Sequence, residues 1–186
     1  RVFQGFDSNG ISLYKEDGSG EEVLEPIGSA LPDYTYSFTT KAEYKNFDVS
    51  MFWYGTQGNE VYNNITNALF VKGSLNSGAN VSQSVLNSPE SISNSNAFSS
   101  RFIEDGSFLR LANVTLGYSF NTKAINWINR ARIYVTGNNL LLITNYSGFD
   151  PEVSTDANVD GVPTIGMDYT NYPKARTFTV GVSLQF

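Results

Sequence analysis

Hydrophobic and polar residues alternate along several stretches of this chain, and the alternation is most regular between Ala175 and Phe186. There, apolar side chains occupy every second position, with small polar residues between them. Successive side chains of a β-strand point to opposite faces, so this stretch predicts a strand with one apolar and one polar face. Such a strand suits a soluble β-sandwich, where the apolar face meets a core, or a membrane barrel, where it meets lipid.

The same alternation predicts five confident strands, and their connections alternate between short and long. The strands are expected at residues 34–45, 47–57, 107–121, 131–144 and 175–186, with long loops at 58–106 and 145–174. Residues 1–33 form a separate region of strand and loop, and residues 34–186 carry the main fold. Outer-membrane barrels have short turns on one side and long loops on the other, so the pattern favours an all-β fold of antiparallel up-and-down strands in a transmembrane barrel.

Three positions within the predicted strands depart from the simple pattern. Strict alternation from Val114 places Arg110 on the apolar face, where a charge is costly at a bilayer midplane, so that end of the strand is expected outside the hydrocarbon. Asn138 and Asn139 have poor strand propensity. They predict a hydrogen bond on the inner face or a β-bulge.

Composition narrows the function classes. Charged residues make up 16% of the chain, against about 25% in average soluble domains, and aromatic residues make up 14%. The net charge of −6 argues against a nucleic-acid partner. Because the sequence has no cysteine and no histidine, it excludes thiol nucleophiles, Cys/His zinc sites and histidine-dependent triads. An enzyme is therefore the least favoured function, and no catalytic residue is assigned.

Five strands are too few to close a membrane barrel, which needs about eight. An open edge in lipid would leave backbone groups unpaired at several kcal/mol each. The sequence begins at Arg1, without Met or a signal-peptide pattern. We therefore expect this chain to be part of a longer protein that supplies the missing strands.

Seven short stretches, in order between Ile27 and Phe186, carry a family resemblance. They are Ile27-Gly28 with Pro32-Asp33-Tyr34-Thr35-Tyr36-Ser37-Phe38; Tyr44-Lys45-Asn46-Phe47-Asp48-Val49-Ser50; Gly55-Thr56-Gln57-Gly58-Asn59-Glu60-Val61-Tyr62-Asn63; Asp105-Gly106-Ser107-Phe108-Leu109-Arg110-Leu111-Ala112-Asn113-Val114-Thr115-Leu116-Gly117-Tyr118; Gly137-Asn138-Asn139-Leu140; Tyr146-Ser147-Gly148-Phe149-Asp150-Pro151-Glu152-Val153; and Tyr172-Pro173 with Arg176-Thr177-Phe178. With these stretches the chain resembles the C-terminal part of the SusC/RagA family of TonB-linked outer-membrane receptors of Bacteroidota.

The resemblance implies a 22-stranded, plugged barrel in the bacterial outer membrane, of which this chain would supply the last strands. It also implies TonB-energised import of a bulky nutrient, such as a glycan or a peptide, beneath a SusD-like surface lipoprotein. Contact with the TonB complex would come from a region N-terminal to this chain. By the same resemblance, the terminal Phe186 would be a signal for barrel assembly. No cofactor is implied.

Candidate contact residues lie in the long loops. Their aromatic side chains could stack on sugar rings or pack under the partner lipoprotein, although packing against one another is an equal alternative. These residues are Tyr62, Phe98, Tyr146, Phe149, Tyr169 and Tyr172. Asp156, Asn158 and Asp160, followed by Gly161, have the oxygen spacing of half a Ca²⁺ loop, but Met167 stands where a bidentate Glu is required. A plain acidic loop is the alternative there.

The main competing function is a soluble β-sandwich that binds carbohydrate through its long aromatic loops. The two functions differ in the fate of the apolar strand face. A sandwich buries that face against a second sheet, whereas a membrane barrel leaves it as a continuous apolar belt. The belt is expected to include Tyr36, Phe38, Val114, Leu116, Phe178, Val180, Val182 and Leu184.

Overall fold

The computed structural model describes residues 1–122, 127–153, 157–159, 162–169 and 171–186. In chain order its strands are β1 (Phe3–Phe6), β2 (Ser12–Tyr14), β3 (Tyr34–Tyr44), β4 (Phe47–Gln57), β5 (Glu60–Asn63), β6 (Ile103–Asp105), β7 (Phe108–Phe120), β8 (Arg130–Thr144), β9 (Ala157–Val159), β10 (Val162–Thr164), β11 (Met167–Asp168) and β12 (Thr177–Gln185). Its α-helices are α1 (Asn64–Leu69) and α2 (Gln83–Leu86), and short 3₁₀-helices span Lys72–Ser77 and Ser100–Phe102. No helix in these ranges has the length and hydropathy needed to cross a membrane.

The chain divides into two compact units, each assembled from three separate segments. The loop unit comprises Arg1–Pro32, Gly58–Gly106 and Tyr146–Tyr172, and the sheet unit comprises Asp33–Gln57, Ser107–Asn145 and Pro173–Phe186. The sequence-based division into residues 1–33 and 34–186 follows the chain and therefore differs from this grouping. Alternation identifies strands, but it carries no information on which distant loops fold together.

The sheet unit is one antiparallel five-stranded sheet with the order β12-β8-β7-β4-β3. Tyr44 pairs with Phe47, so β3 and β4 are joined by a two-residue turn in which Lys45 has a φ of 55°. Cross-strand partners lie on the same face of a sheet. The row Ala42, Val49, Leu116, Val135 and Val180 therefore defines the apolar face, and the intervening residues define the polar face. The prediction of antiparallel up-and-down strands is confirmed.

A β-bulge at Ala112 corrects the predicted position of Arg110. In β4, Phe52 and Trp53 are consecutive, but their partners in β7 are Asn113 and Leu111, so Ala112 is an extra residue. A single extra residue reverses which face each following side chain occupies. Arg110 pairs with Tyr54 on the polar face and is only 3% exposed. The expectation that Arg110 interrupts the apolar face is therefore wrong, and that face continues through Leu109 and Leu111.

Both features predicted from Asn138 and Asn139, a side-chain hydrogen bond and an irregularity in the strand, are present in β8. Asn113 Nδ2 donates to Asn138 Oδ1 at 2.8 Å, and Asn138 Nδ2 donates to Thr177 Oγ1 at 2.9 Å. Asn139 has a φ of 54° and lies beside the irregularity in the β7–β8 register. Asparagine is one of the few non-glycine residues that adopt this left-handed conformation readily.

The loop unit has its own small sheet and two apolar clusters, although residues 58–106 were predicted as one long loop. Its central sheet has the order β11-β5-β6, and α1 begins where the side chain of Asn63 accepts a hydrogen bond from Thr66 N at 2.9 Å. One cluster contains Val61, Tyr146 and Val153; the other contains Tyr62, Val71 and Phe102. The small hairpin of β1 and β2 also belongs to this unit.

Candidate functional site

The apolar face of the five-stranded sheet is exposed. On β12 the exposed fractions are 73% for Phe178, 68% for Val180 and 66% for Val182, and Leu116 on the inner strand β7 is 52% exposed. An inner strand of a sandwich would bury such a residue against a second sheet. Among the residues that the structure describes, the strands of the sheet unit form a single sheet. The apolar face is therefore available to an apolar surrounding.

Aromatic side chains concentrate at both ends of this apolar face. At the turn end the ring centroid of Tyr118 lies 4.8 Å from that of Phe47 and 5.0 Å from that of Phe120. At the other end the ring centroids of Tyr34 and Tyr36 lie 6.0 Å apart, and Phe38 stacks on Trp53 at 5.9 Å part-way along the face. The residues between the two rows are largely aliphatic: Ala42, Val49, Met51, Leu111, Val114, Leu116, Val135 and Leu141.

The separation of the aromatic rows can be worked out from strand geometry. Tyr34 and Tyr44 mark the ends of β3, ten residues apart. At ~3.4 Å per residue they lie about 34 Å apart along the strand. A barrel strand tilts by about 40°, which reduces this to a height of about 26 Å, close to the ~25 Å apolar band of outer-membrane barrels.

The polar face carries ladders of neutral hydrogen-bonding side chains. Besides the Asn113–Asn138–Thr177 ladder, the hydroxyl groups of Thr115 and Thr136 lie 2.9 Å apart across β7 and β8. These hydrogen bonds link neighbouring strands near the middle of their length. The polar face therefore suits contact with water or with polar groups rather than with lipid.

A charged recess of about 540 Å³ opens on the polar face near the turn end of the sheet. Its centre is a bidentate ion pair, in which Arg132 Nε and Nη2 donate to the two oxygens of Asp48 at 2.8 and 2.5 Å. Lys41, Glu43 and Arg130 line the same recess. The sequence pattern does not reveal this pair, because Arg132 lies 84 residues from Asp48 and is found only through the strand register.

Two of the six predicted contact aromatics are buried inside the loop unit. Tyr62 is 4% exposed and stacks on Phe98 with centroids 4.1 Å apart, and burial, aided by Tyr14, raises the pKa of Tyr62 to about 12. Tyr146 is 6% exposed and donates to Asp168 Oδ2 at 2.6 Å; burial and this bond raise the pKa of Tyr146. Each of these two residues packs in an apolar cluster, and contact with a ligand or partner stays a prediction.

The other four predicted contact aromatics are accessible. Phe98 is 48% exposed, Phe149 66%, Tyr169 56% and Tyr172 95%. The structure therefore leaves their surfaces open to a ligand or partner, and this part of the prediction stays untested. Phe186 is also exposed, and its ring stacks on that of Trp127 at 5.7 Å and 5°. This contact does not test a role in assembly.

The Ca²⁺ prediction falls mostly outside the described residues. Asp156 and Asp160 are not described, and only the backbone of Asn158 is, in the pairing of β9 with β10. Within the described part of the chain, no group of three or more acidic side chains is arranged to hold a metal ion. Ca²⁺ binding at this loop stays a prediction.

A second feature that sequence analysis missed is a buried ion pair that organises the loop unit. Glu90 is 2% exposed, and Arg101 Nη1 and Nη2 donate to its two oxygens at 2.7 and 2.8 Å. Burial pushes the pKa of Glu90 up, but hydrogen bonds from Arg101, Asn94 and the Lys72 backbone outweigh it and lower the pKa. The Arg101 guanidinium also lies 4.9–5.7 Å from the ring centres of Phe3, Phe6 and Phe102.

Comparison with known proteins shows which receptors contain a segment similar to this chain. The chain is 34% identical over 204 aligned positions to TonB-dependent receptor P3 of Formosa agariphila, covering all of this chain and 20% of the relative. It is 36% identical to TonB-dependent receptor SusC of Bacteroides thetaiotaomicron, over 90% of this chain and 16% of the relative. This chain is homologous to one segment of SusC-like TonB-dependent receptors. The recognition made from the seven motifs is thereby confirmed.

Solved structures agree on the fold of this SusC-like segment. A chain of the RagAB peptide importer matches it with a TM-score of 0.75, at 22% identity in the open-open state and 24% in the closed-closed state. The match covers all of this segment and 22% of that chain. No protein-family model matches the segment. It spans about a fifth of the length of the curated relatives that it matches.

Proposed function

We propose that this chain forms five adjacent membrane strands and the folded outer loops of a SusC-like nutrient importer in the bacterial outer membrane. The observation that carries the proposal is the exposed apolar face, bounded by aromatic rows about 26 Å apart. In this arrangement the apolar face meets lipid. The polar face, with its amide ladder and charged recess, lines the barrel interior.

The two outer strands of the sheet support the same proposal. Within the described residues, β3 and β12 each pair with a single neighbouring strand. Unpaired backbone groups in hydrocarbon cost several kcal/mol each, so both edges require partner strands from the rest of the receptor. A carbohydrate-binding sandwich is not favoured, because it would need a second sheet over the apolar face.

The proposed cargo is a bulky nutrient such as a glycan or a peptide. One relative is named SusC, and the matching structures are of a peptide importer, which supports import without fixing the cargo. A SusD-like surface lipoprotein is the proposed partner at the loop unit, where Phe149, Tyr169 and Tyr172 offer exposed rings. Coupling to TonB would come from receptor segments outside this chain.

The orientation of the sheet is tested by fluorescence quenching from the lipid phase. Single cysteines replace Val180 or Thr179, which are neighbours on opposite faces of β12, in a complete receptor free of other cysteines. Each cysteine is labelled with a polarity-sensitive fluorophore and measured in vesicles that contain brominated lipid. We expect strong quenching at position 180 and weak quenching at position 179. Equal quenching at both positions would contradict the proposal that the apolar face meets lipid.

The cargo class is tested by growth. A strain that lacks the receptor gene is compared with its parent on individual glycans and on peptides as the limiting nutrient. A selective growth defect identifies the cargo class. If no nutrient distinguishes the two strains, import as the function is refuted.

A further inference from the structure

An apolar recess of about 200 Å³ opens in the loop unit, beside its central sheet. The residues that line it all belong to this unit. They are residues 27–30, Glu60 and Tyr62 on β5, Phe98, Ile103 on β6, and residues 165–167. Pockets for drug-sized ligands measure about 300–1,000 Å³. The apolar recess therefore fits one side chain of a longer molecule rather than a whole ligand.

Hydrogen bonds hold two walls of the apolar recess against β5. Glu60 N donates to the carbonyl of Ser29 at 2.7 Å, and Ser29 N donates to Glu60 Oε2 at 2.8 Å. The second wall is held by Tyr62 N, which donates to the carbonyl of Gly166 at 2.8 Å. A Cβ at Gly28 would clash with Glu60 Oε2, so this wall needs a glycine to approach the carboxylate so closely. The apolar recess is therefore built into the fold.

Apolar side chains form most of the lining. The ring of Phe98 stacks on that of Tyr62, and about half of Phe98 stays exposed. Ile103 and Met167 pack against the cluster that contains Tyr62, and Ile165 adds an exposed aliphatic side chain. A group that enters the apolar recess would therefore meet mainly hydrocarbon.

The hydroxyl groups of the lining are already engaged. Tyr62 Oη accepts from Asn67 Nδ2 at 2.7 Å, and Ser29 Oγ donates to the carbonyl of Leu31 at 3.3 Å. A sugar ring presents several hydroxyl groups, and each of them would lose water here without gaining an equivalent partner. The lining therefore disfavours a saccharide.

Glu60 is the only charged side chain among the described residues that line the apolar recess. Its Oε2 accepts from Ser29 N, and no lysine or arginine in the described part of the chain is paired with its carboxylate. Glu60 is partly buried, and a carboxylate attracts a cation more strongly beside apolar groups than in open water. The apolar recess therefore complements a group with an apolar body and a positive charge.

We infer that the apolar recess binds a lysine or arginine side chain of a peptide cargo. These side chains combine an apolar stem with a cationic end. The stem would lie along Ile103, Ile165 and Met167, and the cation would bond to Glu60 beside the exposed part of the Phe98 ring. This inference rests on the proposed import function and narrows the cargo to peptides that carry a basic residue.

Binding of model peptides to the complete receptor tests this inference. The probes are short Gly-Ser peptides with lysine, norleucine or glutamate at the central position, and norleucine has the stem of lysine without its charge. Saturation-transfer NMR titrations give the Kd of each peptide. Because a hydrogen bond to a charged group is the main difference, we expect the lysine peptide to bind at least about 10-fold more tightly than the norleucine peptide. The glutamate peptide should bind most weakly.

Two variants of the apolar recess and one matched control locate the binding. Glu60→Gln keeps an oxygen that can accept from Ser29 N, so it should retain the recess but reduce the preference for lysine to less than about 2-fold. Phe98→Leu should weaken binding of the lysine peptide about 2–5-fold through loss of the cation–π contact, and binding of the norleucine peptide less. Glu16→Gln removes an exposed carboxylate outside the recess and should leave the preference unchanged.

Three results would overturn the inference. They are equal binding of the lysine and norleucine peptides to the parent receptor, equal effects of Glu60→Gln and Glu16→Gln, and no effect of Phe98→Leu on the lysine peptide. Hydrogen exchange at the Ser29 amide verifies that the wall of the apolar recess is intact in Glu60→Gln. Lipid quenching on β12 and the growth comparison do not depend on this recess, so failure of the inference can be told apart from failure of the import proposal.

Discussion

Replacing Met51 with arginine puts a charge on the apolar face of the sheet and tests whether that face meets lipid. Met51 pairs with Thr40 and Val114, so it has a neighbouring strand on each side. Ser50, the preceding residue, pairs with Lys41 and Thr115 on the polar face. Ser50→Arg is therefore a control at nearly the same height on the opposite face.

The expected cost follows from the depth of Met51. Met51 lies four positions after Phe47, which belongs to the turn-end aromatic row. This is about 14 Å along the strand and about 10 Å in height for a tilt near 40°, which is close to the middle of a ~25 Å band. An arginine at that depth costs about 2–4 kcal/mol. Ser50→Arg should cost less than about 1 kcal/mol, because its side chain would lie in the charged recess that also contains Asp48.

Urea unfolding of the complete receptor in lipid vesicles measures this difference. The loss in stability is the change in midpoint multiplied by the measured denaturant slope, which for a complete receptor exceeds the value of about 1–3 kcal/mol/M for small proteins. Met51→Leu serves as a control for lost packing and should change the midpoint little. If Met51→Arg and Ser50→Arg lowered the midpoint equally, or if Met51→Arg had no effect, the assignment of the apolar face to lipid would be refuted.

Three further predictions concern stability. Glu90→Gln should destabilise the loop unit by about 2–4 kcal/mol, somewhat less than for a fully buried pair, because Arg101 is 18% exposed. Glu22→Gln, which removes an exposed ion pair, should change stability far less, and hydrogen exchange of loop-unit amides measures both variants. Because the folded-state pKa of Glu90 is lowered, its contribution is present above the unfolded pKa of about 4.3 and is lost as pH falls through the folded-state pKa. The protection factors of loop-unit amides, which correct for the slower intrinsic exchange in acid, should therefore fall in acid in the parent and not in Glu90→Gln. Asn139→Ala should cost about 1–2 kcal/mol in urea unfolding, because Asn139 has a φ of 54° and alanine adopts this left-handed conformation less readily. Asn139→Gly should cost less, and equal costs for the two variants would contradict the role of backbone conformation. Trp127→Ala should cost about 0.5–1.5 kcal/mol by loss of the stack on Phe186, and Trp127→Phe should retain most of it.

The sheet was predictable from sequence because its signal is local. Side-chain alternation needs only a few consecutive residues, and the structural strands lie inside or within one residue of the predicted ranges. The sequence placed Arg110 on the wrong face of the sheet because Ala112 is an extra residue in β7. An alternation pattern gives no sign of such a bulge. Asn138 and Asn139 did carry a usable signal, since poor strand formers inside a strand point to an irregularity.

The loop unit was not predictable in the same way, because its contacts join residues that are far apart in sequence. The backbone of Ser12 is bonded to Asn94, 82 residues away, and Asn63 is bonded to Ser147, 84 residues away. For Tyr62 and Tyr146 the sequence therefore left ligand contact and mutual packing as alternatives, and the structure places both side chains in the core of the loop unit. Loop aromatics look alike in sequence whether they bind a ligand or one another, and only burial separates the two.

The two units should therefore respond independently to mutation. The strands are stabilised by hydrogen-bond ladders between neighbours, whereas the loop unit depends on its own clusters and on the Glu90–Arg101 pair. In a double variant of Met51→Arg and Glu90→Gln, unfolding of the strands should therefore show only the cost of Met51→Arg, and hydrogen exchange in the loop unit should show only the cost of Glu90→Gln. If either measurement showed the sum of both costs, the loop unit and the strands would unfold as one cooperative body.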